Sequence, residues 1–230
     1  MAKRFGVAAL AALAGCLPST KYREYPRNPD PEIKRVVVLP FLNYTRDPID
    51  ADEMATIFAS ELVKFPGFDV VRPLVVRAAM REGEKIATLD DALKFARRLN
   101  ADAIVAVAVT DHDPYDPPRT ALSVQWFRTS ARSLGARDLD RLTESASWKK
   151  GAFEVTRGQA GHLIDAYEEM WDAHNLGVRI EVKKYADAQY GEESAYRDEN
   201  LFLAVQERWI QFVSNQAIWR FVARKGARGA

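Results

Sequence analysis

Two periodicities of apolar and polar residues run through this chain, and they predict most of its elements. Val36-Val37-Val38-Leu39 is a continuous apolar run closed by Pro40 and by turn-forming residues from Asn43 to Pro48, as expected of a strand buried on both faces. Met54, Ile57, Phe58, Leu62 and Phe65 then recur at helical spacing. Asp50 or Asp52 can cap this helix and Pro66-Gly67 stops it. Phe68-Asp-Val-Val-Arg-Pro73 reads as a short second strand. Val75 to Met80 begins a helix that breaks near Gly83. A further helix starts at Thr88, with Asp91 in the capping-box position and a Leu89-Leu93-Ala96 stripe.

Ile104 to Thr110 is again continuously apolar, whereas Thr120 to Phe127 alternates in the manner of a strand with two unlike faces. From Gly161 to Asp172 the spacing fits a helix or a strand. A strand is preferred, because Asn175 can then cap a helix running to Tyr190. Tyr196 to Arg224 predicts one long helix with Leu201, Phe202, Val205, Trp209, Phe212, Val213 and Trp219 facing the core. Phe221 falls off that face and is expected to be exposed. The order of elements predicts an α/β sandwich with a mixed sheet, helices packed on it and a long C-terminal helix. It forms a single domain over 33–225, with a polar insertion at about 128–161 and a basic tail at 226–230. That insertion reads as a surface helix or loop.

Composition changes this picture little: 47% apolar, 28% charged and a formal net charge of +1. Such a balance recruits neither nucleic acid nor acidic substrates in bulk. The amino terminus changes it more. Lys3 and Arg4 precede a short apolar stretch, Val7 to Ala14, and then Cys16, the single cysteine of the chain. The apolar stretch is too short to span a bilayer and reads as an export signal over residues 1–15. Leu13-Ala14-Gly15-Cys16 resembles the lipobox of bacterial lipoproteins, which implies that Cys16 is acylated and becomes the first residue. Acylation would anchor the protein stably and leave a body that can form no disulfide. Leu17-Pro18 carries no aspartate after the cysteine, which by the same resemblance favours the periplasmic face of the outer membrane. Leu17 to Glu32 holds four prolines and few aliphatics, as in an extended tether over 16–32.

Val36 to Asn43, the two following helix–strand steps and Ala101-Asp-Ala-Ile-Val-Ala-Val-Ala-Val-Thr110 together resemble a periplasmic lipoprotein domain. That domain is shared by the curli-secretion lipoprotein, the flagellar outer-membrane lipoprotein FlgO, the penicillin-binding-protein activator LpoB and, more loosely, the TolB amino-terminal domain. The resemblance covers about Arg35 to Phe127. It implies a binding or assembly module without catalytic residues, whose partner is another envelope protein or a wall component. In the curli pore subunit the region after this domain supplies membrane hairpins. The 128–161 segment lacks the alternation a pore strand needs.

Candidate chemistry clusters at two places. Asp111, His112 and Asp113 follow a buried strand, where α/β folds bind ligands, and could hold a metal for hydrolysis. Adjacent strand residues point to opposite faces, however, and Pro114, Pro117 and Pro118 favour a plain turn. Asp172 and His174, with His162, are a second possible metal set, without the spacing of a zinc motif. Tyr115 and Arg119 on the proline-rich loop could form a docking tip. The basic end, Arg220 to Ala230, could touch anionic lipid or simply suit a helix C-terminus. There is no phosphate loop and no nucleophile elbow. The expectation is therefore a non-catalytic protein with no cofactor, with a metal-dependent hydrolase or a secretion-pore subunit as the alternatives.

Overall fold

A computed structural model of the chain describes residues 24–80, 84–132, 151–191 and 194–229. Cys16 and its lipobox, and the centre of the polar insertion, lie outside these residues. The fold is a mixed six-stranded sheet with helices on both faces. In chain order its elements are β1 (Arg35–Val38), β2 (Leu42–Asn43), α1 (Ala51–Leu62), β3 (Asp69–Val70), α2 (Pro73–Ala79), α3 (Leu89–Arg98), β4 (Ala103–Asp113), β5 (Arg119–Arg128), β6 (Leu163–Asp172), α4 (Leu176–Tyr190), α5 (Glu199–Ala204) and α6 (Gln206–Gly229).

The sheet runs β3-β1-β4-β5-β6, with β3, β1 and β4 parallel and β4, β5 and β6 an antiparallel meander. Pro40 has no N–H to give the ladder, so the edge beside β4 breaks there and resumes as β2, where the sequence predicts only a turn. One face packs on α1, α4, α5 and α6 through Val105, Val107, Val124 and Trp126. The other packs on α2 and α3 through Val37, Ile104, Ala106 and Phe127. The capping box of α3 forms as its sequence predicts, with the Asp91 amide donating to Thr88 Oγ1 at 3.2 Å. The ambiguous stretch is a strand, β6, from Leu163 to Asp172, with Gly161 and His162 ending a short 3-10 turn before it, and Asn175 caps α4. Part of the polar insertion is not a solvated surface: Ala152 and Phe153 are buried against the second face, and Gln125 bonds the Phe153 backbone in both directions, at 3.0 and 2.8 Å.

Three expectations fail here. The C-terminal helix is interrupted: Val205 is extended (φ −105°, ψ 112°) between α5 and α6, and it is 38% exposed rather than core. Phe221 turns inward as well: it is fully buried and stacks on Trp126 with ring centroids 3.8 Å apart and planes 8° from parallel, because α6 is enclosed on more than one side and buries Ser214, Asn215 and Ile218 along with Trp209, Phe212 and Val213. Finally, the tether from Tyr25 onward is not a free stalk. The Asn28 amide donates to Pro66 O at 2.8 Å, and Arg128 pairs with both Asp30 and Glu32 at 3.1 Å.

The basic end is also partly spent inside the fold. Arg220 pairs with Glu169, and Arg224 grips Asp165 at 2.9 Å. Both carboxylates belong to β6, which is the outermost strand on its side of the sheet and also carries Glu168 and Asp172.

Burial of Phe221 yields a direct test. Phe221→Ala should destabilise the protein by about 3–5 kcal/mol in denaturant unfolding, the cost of a large buried aromatic truncated to a cavity. A change within about 0.5 kcal/mol, the usual surface value, would place that ring in solvent.

Candidate functional site

The β4–β5 turn and the end of β6 form one pole of the sheet, and most sequence-selected side chains lie there. β4 continues through Asp113 instead of ending at Thr110, because β5 supplies a partner all the way to Arg119. A bulge at Thr110 resets the alternation: Val109 faces Leu122, then Asp111 faces Ala121 and His112 faces Thr120. His112 is thereby turned to the α6 side of the sheet, and Asp111 and Asp113 to the other. The three residues do not converge.

His112 is 5% exposed and engaged on both ring nitrogens. Its Nδ1 lies 3.0 Å from Thr120 Oγ1, which also accepts from the indole Nε1 of Trp209 at 2.9 Å. Its Nε2 lies 3.1 Å from the Gln206 amide nitrogen. A neutral ring with its proton on Nδ1 satisfies every contact: Nδ1–H and the indole donate to the hydroxyl, and the amide donates to Nε2. Burial lowers the His112 pKa below 6.5, against the opposing pull of Asp113, Asp47 and Asp111. Protonation would set an Nε2–H against the Gln206 amide hydrogens. Trp209 and Thr120 were legible only as a core position and a strand residue and Gln206 not at all, since the three meet only when α6 crosses the strand ends.

The other candidates are committed to short-range pairs. Arg119 lies 2.7 Å from Asp111 Oδ2. Asp113 Oδ1 accepts from the Tyr115 amide at 3.2 Å and so holds the turn. Asp172 accepts from the His174 amide and ring at 2.9 and 2.8 Å, and these bonds lower its pKa. His162 sits at the opposite end of β6, where its Nδ1–H donates to Arg128 O at 2.8 Å, so it cannot join His174. Among the described residues no three His, Cys, Asp or Glu side chains are grouped to hold a metal ion. Among the same residues no helix is long and apolar enough to cross a membrane. Tyr115 is the exception to this mutual pairing: it is 81% exposed at the tip of the proline-braced turn.

The buried imidazole predicts a pH dependence. Its folded pKa lies below its unfolded one, so as pH falls below about 6.5 the unfolded chain takes up a proton that the folded chain resists. Stability should then drop by at most about 1.4 kcal/mol per pH unit until the folded pKa is reached. Relative to His112→Gln, the wild type should show this extra loss between pH 7 and pH 5 in urea titrations. Parallel pH profiles would contradict the assignment.

No protein-family model matches the chain, and no curated protein does. Solved structures do resemble it. The LpoB C-terminal domain from Salmonella enterica has 14% identity and a TM-score of 0.41, over 60% of this chain and 81% of that one. Lipoprotein GNA1162 from Neisseria meningitidis has 14% identity and a TM-score of 0.42, over 67% and 96%. The hypothetical protein CT253 from Chlamydia trachomatis has 11% identity and a TM-score of 0.40, over 84% and 99%. Likeness at this level assigns neither a family nor a function to the chain.

Proposed function

We propose that this chain is a non-catalytic lipoprotein of the cell envelope, anchored through Cys16 at the periplasmic face of the outer membrane, whose α/β body docks another envelope component. The observation that carries this reading is Leu13-Ala14-Gly15-Cys16, placed directly behind a basic and then an apolar stretch and holding the single cysteine of the chain. More than one acyl chain on that cysteine gives stable anchoring, because each buried CH₂ contributes about 0.8 kcal/mol.

Two features of the body support a docking role. The acids and the imidazoles at the strand ends are engaged with neighbouring side chains or with the backbone, which leaves them poorly placed for acid–base work. Tyr115, in contrast, is presented to solvent on a turn fixed by Pro114, Pro117, Pro118 and the Asp113 carboxylate. A rigid aromatic on such a turn loses little freedom when it is covered, and this favours it as an interface anchor. Arg119 is not a second free anchor, since it is paired with Asp111.

Cys16→Ala should move the protein from the membrane fraction to the soluble fraction of lysed cells. Continued sedimentation would defeat the lipid anchor. For the docking pole, a photoreactive residue in place of Tyr115 should give a discrete cross-linked adduct in cells, while the same group in place of Ser60 on α1 should not. Adducts from both positions, or from neither, would remove the pole from consideration.

A further inference from the structure

The amino-terminal residues that lead into the body occupy a built groove. Tyr25 lies edge-on to Phe65, just past the end of α1, with centroids 4.8 Å apart, and tilted against Trp219 of α6 at 6.5 Å. Its hydroxyl accepts from the Gln189 amide of α4, and the Asn215 amide of α6 lies 3.5 Å away. Three residues on, Asn28 bonds Ile33 O through its side chain and Pro66 O through its backbone. Gly67, at φ +99°, makes room for it: a Cβ there would stand 3.1 Å from Asn28 Cβ. Asp30 and Glu32 close the run on Arg128, with Arg132 also on Glu32.

The groove does not need this occupant. Beneath Tyr25, Glu61 is 2% exposed but already satisfied, taking Lys64 Nζ at 2.7 Å and Asn215 Nδ2 at 3.0 Å. Lys64 also reaches Gln189 Oε1 at 2.8 Å. Glu61 therefore keeps a donor on each of its oxygens when the tyrosine leaves. The segment gives no strand to the sheet, and its contacts include one partly buried ring, a largely buried Arg128–Asp30 pair and the more exposed pairs of Glu32. Gains of that kind are comparable to the entropy of ordering eight residues. Pro26, Pro29 and Pro31 reduce that entropy and keep the segment extended when it is free.

We infer that residues 25–32 are a strap that docks and releases, giving the tether two lengths. With the strap docked, the eight residues 17–24 separate Cys16 from the body and span at most about 27 Å. With it released, residues 17–32 reach about 55 Å. The docked strap meets the C-terminal end of β5 at Arg128, whereas Tyr115 precedes the N-terminal end of that strand, so docking also points the Tyr115 pole away from the lipid. The consequence for reach rests on the proposed Cys16 anchor; the docking itself does not.

Hydrogen exchange on the full chain in mild detergent tests the release. Amides from Asn28 to Ile33 should exchange by local opening at least about 100-fold faster than those of β4, with little response to low denaturant. Exchange in step with β4 would make the strap a fixed part of the fold and overturn the proposal. Tyr25→Ala should speed trypsin cleavage after Arg27 about tenfold with the body still folded. If that variant fails to fold, Asp30→Ala with Glu32→Ala loosens the strap without touching the groove. On vesicles, a fluorophore at position 115 should report greater distance from a membrane dye in the loosened variant. An unchanged distance despite faster cleavage would eliminate the two-length tether. Loss of the protein from vesicles would instead defeat the lipid anchor while leaving the exchange result to judge the strap.

Discussion

The flat stack of Trp126 on Phe221 holds α6 against the sheet, and much of the molecule depends on where that helix lies. Pinned there, α6 carries Trp209 and Gln206 to the ends of β4 and β5, where they close the contacts of His112. Its opposite side presents Asn215 and Trp219 to α1 and the entering chain. A helix enclosed on two sides cannot show a narrow apolar stripe. Ser214 and Asn215 are both fully buried in it, and Ile218 and Phe221 are buried as well.

That enclosure explains which parts of the fold were legible in the sequence. Elements buried in the ordinary way, on one helical stripe or on both faces of a strand, follow from local pattern: α1, α3 with its Thr88 cap, and the apolar part of β4. β6 was read correctly only through its neighbour, because Asn175 as a cap decided between two fitting periods. Phe221 was misread because a single apolar face was counted for a helix that is enclosed on two sides. The break at Val205, where the backbone leaves the helix for one residue, is announced by no local preference, since Val205 has apolar and helical residues on both sides.

The pole at the end of β4 was half legible. Its residues were picked out as the chemically richest stretch, and the objection that neighbours on a strand cannot converge holds in the structure. What the pattern could not supply was the bulge at Thr110, which decides that His112 goes inside and its two aspartates do not. The strap was illegible for a different reason. Proline-rich, polar sequence describes a chain that does not make its own core, and it says nothing about whether another part of the molecule offers a groove.

The charges along β6 have a consequence for molecules held side by side. A ten-residue outer strand is long enough to template a neighbour's backbone. Asp165 and Glu169 on one side, locked to Arg224 and Arg220, and Glu168 on the other mean that any added strand would have to dehydrate ion pairs as it approached. Copies brought to high local concentration, as the proposed anchor would bring them, are thereby kept from zipping into an extended sheet.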